Sequence, residues 1–358
     1  MTGGGSGGHI TPLLSLAHEL KRQNKNCKLI YIGLKGEKTY SFKDEYRIFD
    51  RVFYISSGKL RRYHGESHIT RLLDIKRWVL NFIDLFKITA GFFSAYKILK
   101  DVKPGAVFSK GGFVVVPVGL AARLQKIAII THDSDAVPGL ANRILGKLAS
   151  VRTSGVPGVN SAGKQPVYVG IPIDPRIKYV SPLLQKQYKQ EIGAGETEQV
   201  LVVSGGGLGA RDLNKLIVSS SLELLHSHPD LRIYHIAGSK HEEAVRHDYE
   251  KMLEPSQERR VKVIGFTTEF YKYTGASDLI VSRAGATTIA EVAIQAKPVV
   301  LIPAPFLTGG HQLENAQALH KLGAVKVADN SITADKFTKI ISDLLNNRDK
   351  CDQMAKNL

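Results

Sequence analysis

Apolar residues recur along this chain in two alternating periods. Short β-branched and aliphatic runs at residues 29–32, 52–55, 106–108, 127–130 and 167–169 read as buried strands, and helical spacing fills the stretches between them. A charged, proline-containing stretch follows Tyr168-Val169-Gly170-Ile171-Pro172 and extends to about residue 197. The pattern then restarts, with runs at 200–203, 233–237, 261–264, 279–281 and 299–302. This repeated βα alternation predicts an α/β chain of two Rossmann-like domains, residues 1–172 and 173–358, each built on a parallel sheet. Such units carry ligand loops at the carboxyl ends of their strands, so the expected sites face a cleft between the domains. No low-complexity segment or short tandem repeat breaks the pattern, and residues 344–358 read as one helical run without a stop signal.

Composition narrows the class. A length of 358 residues suits two domains, and 43% hydrophobic with 23% charged residues suits a globular chain. Cys27 and Cys351 match no metal or disulfide spacing, which implies a reducing compartment. The longest uncharged apolar stretch, 111–122, contains Pro117 and falls short of the roughly 20 residues a membrane-spanning helix requires. No signal peptide opens the sequence.

Charge changes the picture more. Of the net +16, residues 1–160 hold 25 Lys or Arg against 11 Asp or Glu, while the remainder holds 24 against 22. The amino-terminal half should therefore meet an acidic partner, either nucleic acid or an anionic membrane surface, although ordinary solvated lysines give the same count. Within 71–100, Leu72, Ile75, Val79, Phe82 and Phe86 follow a three-four spacing. Lys76, Arg77, Trp78 and Lys87 surround them, with Lys59, Arg61 and Arg62 upstream. This reads as an interfacial helix with basic flanks; a helix packed on the amino-terminal sheet would show the same stripe.

Three glycine-rich turns carry the candidate chemistry. Gly3-Gly4-Gly5-Ser6-Gly7-Gly8-His9 precedes a helical run at 13–20, and its glycines let backbone amides approach an anion or a polar sugar at a helix amino terminus. Gly3, Gly5 and Gly8 also satisfy G-x-G-x-x-G, but no acidic residue ends the next strand, so a dinucleotide oxidoreductase is disfavoured. His9 serves either as a base or as a helix-terminus partner. The second turn is Ser204-Gly205-Gly206-Gly207-Leu208-Gly209-Ala210-Arg211, another anion cradle. The third is Ser282-Arg283-Ala284-Gly285-Ala286-Thr287-Thr288-Ile289-Ala290-Glu291. There the amides of Ala286, Thr287 and Thr288 suit a pyrophosphate, and Glu291 suits ribose hydroxyls or merely the helix dipole. Arg283 serves structure or phosphate equally. Pro303-Ala304-Pro305 and the run His311-Gln312-Leu313-Glu314-Asn315-Ala316 complete the set.

Together with Lys110-Gly111-Gly112-Phe113-Val114, Pro117, His132-Asp133-Ser134-Asp135 and Pro138-Gly139-Leu140-Ala141-Asn142, these motifs resemble a family of bacterial transferases. That family, glycosyltransferase family 28, includes the enzymes that add N-acetylglucosamine to the lipid-linked muramoyl-pentapeptide of peptidoglycan synthesis. The resemblance runs nearly end to end. It implies a GT-B fold, with residues 1–172 binding acceptor and membrane and residues 173–358 binding the UDP-sugar. It also implies inverting transfer from UDP-N-acetylglucosamine to the 4-hydroxyl of undecaprenyl-pyrophosphoryl-muramoyl-pentapeptide, at the cytoplasmic face of the bacterial membrane. No cofactor or metal is implied, and Asp133-Ser134-Asp135 is not read as a D-x-D metal site.

By the same resemblance, His9 is the catalytic base. Ser6, Gly7 and Gly8 lie beside the donor sugar and diphosphate, and Asp135 touches the sugar. The second loop at Gly207 meets phosphate and the backbone at Thr267 reads uracil. Ala286, Thr287 and Thr288 hold phosphates and sugar, Glu291 the ribose, and Gln312 the sugar hydroxyls. Three positions depart from the family: Gly207 stands for a serine, Asp174 for an arginine and Asp135 for an asparagine. An aspartate near a diphosphate is repelled, so Arg176 or Arg211 substitutes, or Asp174 points away. The first glycine loop also begins at Thr2, leaving no residues for the strand that anchors such a loop, and a start placed too late or a trimmed chain is the expectation. The alternatives are a related GT-B transferase or nucleotide-sugar epimerase and, without an aromatic platform or helix-turn-helix to support it, a nucleic-acid binder.

Overall fold

The structure, a computed structural model, describes residues 1–4, 7–36, 45–59, 75–135, 137–157, 165–206, 209–304 and 311–358. It divides into two compact units, Met1–Asp174 and Pro175–Leu358. In the first, β1 (Ile30–Leu34) and β2 (Arg51–Ile55) pair in parallel. A second parallel sheet runs in the order β3 (Ala106–Ser109), β4 (Ala128–Asp133), β5 (Val151–Ser154) and β6 (Val167–Tyr168).

Thr2 bridges the two sheets, with parallel pairing to Ile32 on one side and to Ser109 on the other. Its N donates to the Phe108 carbonyl (2.8 Å), its own carbonyl accepts from Lys110 N (3.0 Å), and the Met1 carbonyl accepts from Ile32 N (3.0 Å). Two residues thus occupy the line of a central strand, completing the spatial order β2, β1, Met1-Thr2, β3, β4, β5, β6. The anchor that the sequence lacks as a strand is supplied by these ladder bonds on both sides of one fully buried threonine.

Helices cover both faces. Helix Gly7–Gln23 lays Ile10, Leu13, Leu14 and Ala17 on Leu29 and Tyr31. Helices Ile75–Val102 and Val115–Leu124 pack Ala95, Leu99, Val115 and Val118 against Val107 and Ile129. Among the described side chains of helix Ile75–Val102, those in that core lie in its carboxyl half. No helix among the described residues is long and apolar enough to cross a membrane.

The second unit holds β7 (Gln199–Ser204), β8 (Leu231–Ile236), β9 (Val261–Ile264), β10 (Leu279–Ser282), β11 (Val299–Leu301) and β12 (Lys326–Val327). They form one parallel sheet in the order β12-β11-β10-β7-β8-β9. Strands buried on both faces explain the unbroken apolar runs, of which Val200, Leu201, Val202 and Val203 are wholly inaccessible. Chain order reverses between β7 and β10, the switch point at which ligands enter such sheets. The helical run expected over residues 344–358 is two helices, Ala334–Leu345 and Arg348–Asn357. Asn347 separates them, its side chain accepting from Lys350 N (3.0 Å) as an N-cap.

Candidate active site

At the carboxyl ends of the first unit's strands, main chain meets main chain. Gly111 and Gly112, just after β3, have φ of 108° and 84°, a region most side chains avoid. A Cβ on Gly112 would run into the Gly4 carbonyl, and one on Gly111 would stand 3.4 Å from the His9 ring and 3.5 Å from the Asn142 amide. The first glycine loop, the turn after β3 and helix Leu140–Gly146 therefore converge on His9, which lies in the first turn of its own helix. Space around Gly8 is open, so that helix amino terminus is reachable.

Charge is concentrated here. Burial first, then the nearby Lys110 ammonium, lowers the His9 pKa to about 4, against an opposing hydrogen bond at the Lys110 backbone. The imidazole is therefore neutral at physiological pH. Lys110 is itself buried, which lowers its pKa to about 8 against the opposing charges of Asp135 and Asp133. Asn142 Nδ2 donates to Asp133 Oδ1 (2.8 Å) and to the His132 carbonyl (2.9 Å). Burial raises the Asp133 pKa and the Asn142 bond opposes that rise. Thr153 donates its single hydroxyl hydrogen to the Thr131 carbonyl (3.0 Å), so it accepts from His132 Nδ1–H (3.0 Å). Burial and Lys110 lower the His132 pKa to about 3. The Asp133-Ser134-Asp135 segment is thus engaged with Asn142 and Lys110, and among the described residues no cluster of His, Cys, Asp or Glu is arranged to hold a metal ion.

The second unit presents its loops at the switch point. After β7, Ser204 Oγ accepts from Gly206 N (3.2 Å) and the Gly206 carbonyl from Gly209 N (2.8 Å). After β10, Gly285 caps helix Ala286–Gln295 without a side-chain hydrogen bond, and the space where its Cβ would stand is open. The first-turn amides of Ala286, Thr287 and Thr288 have no acceptor within the helix and carry the positive end of its dipole. Half-buried Glu291 follows on the second turn. Gln312 Oε1 accepts from Ala304 N (3.0 Å), tying helix His311–Lys321 to the end of β11. Thr267 Oγ1 accepts from Glu269 N (3.0 Å) in the turn after β9.

Arg283, open to either role by sequence, is structural through one of its nitrogens. Its Nη1 donates to the Ile302 carbonyl (3.0 Å) and to Asn330 Oδ1 (2.5 Å), joining three strand ends. Arg176 lies over the Tyr271 ring, 5.1 Å from its centroid.

Ser6 and Gly207, together with Leu72, Arg61 and Arg62, lie outside the described residues. The structure brings His9 together with Lys110 and Asn142, which the sequence reading quoted within motifs without a role. Their signal was position, at the end of a strand and two residues into the next helix. On helix Ile75–Val102, Val79, Phe82 and Phe86 are more than half exposed, and the two phenylalanine rings meet edge to face at 5.0 Å. These three side chains are not covered by the sheet.

The family described as "Glycosyltransferase family 28 N-terminal domain" matches residues 1–151, and "Glycosyltransferase family 28 C-terminal domain" matches residues 200–358. A relative from Clostridium botulinum (strain Loch Maree / Type A3) is 36% identical over 97% of this chain and 91% of its own length. Its name is UDP-N-acetylglucosamine--N-acetylmuramyl-(pentapeptide) pyrophosphoryl-undecaprenol N-acetylglucosamine transferase. The crystal structure of MurG from Acinetobacter baumannii superposes with a TM-score of 0.68 at 26% identity, over 100% of this chain and 92% of that one. The UDP-GlcNAc 2-epimerase of Neisseria meningitidis shares the fold, with a TM-score of 0.64 at 14% identity over 100% and 93% of the two chains.

Proposed function

The chain belongs to glycosyltransferase family 28, and on that premise we propose that it transfers N-acetylglucosamine from UDP-N-acetylglucosamine to lipid-linked muramoyl-pentapeptide. The acceptor 4-hydroxyl oxygen attacks C1 of the donor sugar as the C1–O bond to UDP breaks. The hydroxyl proton passes to His9 and the bonding electrons leave with the diphosphate, so the anomeric centre inverts. The observation that carries this reading is the neutral His9 imidazole, held beside Gly111 and Asn142 at an open helix amino terminus. A base must be unprotonated to act, and burial keeps His9 so, at a cost in basicity.

Residues 173–358 take the donor. The amides of Ala286, Thr287 and Thr288, at the positive end of their helix dipole, meet the charge that develops on the leaving diphosphate. Glu291 holds the ribose, the backbone at Thr267 the uracil, and Gln312 the sugar hydroxyls, with Ser6, Gly7, Gly8, Asp135 and Gly207 completing the donor contacts. Residues 1–172 take the acceptor and meet the membrane. Their excess of basic side chains and the exposed Val79, Phe82 and Phe86 suit an anionic cytoplasmic leaflet, at which the protein is peripheral. Nucleic acid is not a partner in this reading.

Replacing His9 and Glu291 by alanine separately tests the division of roles. His9→Ala should cut turnover by about 10²–10⁴-fold with little change in the Kd for UDP. Glu291→Ala should mainly raise that Kd. Equal loss of UDP binding in both variants contradicts the assignment.

A further inference from the structure

Inside the core of the second unit runs a chain of three polar side chains. Tyr249, His235 and Asn214, from helix Glu242–Met252, β8 and helix Arg211–Ser227, are 2%, 0% and 3% exposed. Tyr249 Oη lies 2.9 Å from His235 Nδ1, and His235 Nε2 lies 3.1 Å from Asn214 Oδ1. Asn214 Nδ2 donates to the Ala237 carbonyl at 3.0 Å. Each bond dictates the next. Because the Asn214 amide nitrogen serves Ala237, its oxygen faces His235, and Nε2 there must carry the proton. Nδ1 is then an acceptor and the Tyr249 hydroxyl its donor. With the imidazole neutral, donation runs one way, from Tyr249 to Ala237, and of the two neutral tautomers of His235 only Nε2–H satisfies all three bonds. Complete burial lowers the His235 pKa to about 3, which preserves that neutral form.

The Ala237 carbonyl is also the wall of the second glycine loop. Gly209 has φ of 73°, and a Cβ there would collide with that oxygen. Asn214 N bonds the Ala210 carbonyl (2.9 Å), so one residue ties both the loop and its wall.

We propose that Tyr249, His235 and Asn214 are positioning residues of the donor site, fixing the carbonyl against which Gly209 of the second glycine loop packs and thereby setting affinity for a uridine diphosphate. None of them touches the ligand. The proposal rests on the reading of that loop as a donor loop.

The test uses the full chain in wild-type form and as Asn214→Asp and Tyr249→Phe. Asn214→Asp keeps the shape but sets an acceptor against the Ala237 carbonyl; Tyr249→Phe removes only the first donor. Amide hydrogen exchange over residues 204–214, the Kd for UDP by calorimetry, and ¹⁵N-histidine NMR are the readouts. The wild type should show His235 as the Nε2–H tautomer. Asn214→Asp should exchange at least tenfold faster over the loop and bind UDP about tenfold more weakly, with Tyr249→Phe following at about threefold. Should Asn214→Asp fail to fold, Tyr249→Phe and the wild-type tautomer still decide. An Nδ1–H tautomer, or loop exchange unchanged in a folded variant, overturns the positioning. Faster loop exchange with unchanged UDP affinity overturns the link to the donor. If UDP also fails to protect 204–214 in the wild type, the error lies in the donor-loop reading itself.

Discussion

Replacing Lys110 by methionine should shift the acid limb of the reaction upward. His9 has its pKa lowered from 6.5 to about 4, a span worth about 3.4 kcal/mol at about 1.36 kcal/mol per pH unit. Burial is the larger cause and the Lys110 ammonium the second, against an opposing hydrogen bond at the Lys110 backbone, so removing the ammonium should recover only part of that span. In the wild type, kcat/KM should stay level from pH 8 down to about 5 and halve near 4. In Lys110→Met the half-point should lie above that of the wild type and below 6.5, and Lys110→Arg, which keeps the charge, should retain the wild-type profile. Linkage has the matching sign. Unfolded His9 takes up its proton near 6.5 and folded His9 near 4, so stability falls as pH drops through that window, and by less in Lys110→Met. Initial rates at constant ionic strength, with circular dichroism marking the folded range and the His9 ring proton followed by NMR, provide the assay. An unchanged limb in Lys110→Met, or a wild-type limb near 6.5, would refute the reasoning.

Elsewhere, Lys297 is 5% exposed and its pKa is lowered to about 7, chiefly by burial. Unfolded, it keeps its proton to about 10.5, so stability should rise with pH between 7 and 10.5. Lys297→Met should therefore raise Tm at pH 6, by up to a few kcal/mol in stability, and lose that advantage by pH 10; scanning calorimetry at both values checks it. Its carbonyl partner Ser277 retains Gln185 Nε2 (2.9 Å), and Asp278 retains Lys189 (2.9 Å). Phe82→Glu combined with Phe86→Glu should weaken binding to anionic vesicles by tenfold or more, since a fully buried aromatic is worth about 1.5–3 kcal/mol. The same pair should leave transfer to a detergent-soluble short-chain acceptor unchanged.

Much of this architecture is local and therefore readable from residues alone. Strands such as β7 announce themselves as continuous aliphatic runs because both faces are buried, and each glycine turn sits where a run ends. Pairing is not local. Nothing near Thr2 says that Ile32 and Ser109 will flank it, which is why the first loop looked unanchored. Asn346-Asn347 breaks the last helix because a short amide side chain caps Lys350 N in place of the helical bond, a choice that an apolar periodicity does not register. The apolar stripe of helix Ile75–Val102 fits lipid and sheet equally on paper; the exposure of Phe82 and Phe86 shows that the sheet does not cover these two. In the site, the loops were legible and the electrostatics were not. Lys110 stands in a motif without a role of its own until the fold buries it beside His9 and two aspartates. His235 reads as a strand residue until Tyr249 and Asn214 close on its two nitrogens.

The most direct test is transfer of labelled N-acetylglucosamine from UDP-N-acetylglucosamine to a short-chain lipid-linked muramoyl-pentapeptide, with chelator present and with acceptor omitted in parallel. The account predicts product only when acceptor is present, undiminished by chelator, with one UDP released per sugar transferred. Absence of product, or consumption of the sugar nucleotide without acceptor, would contradict it.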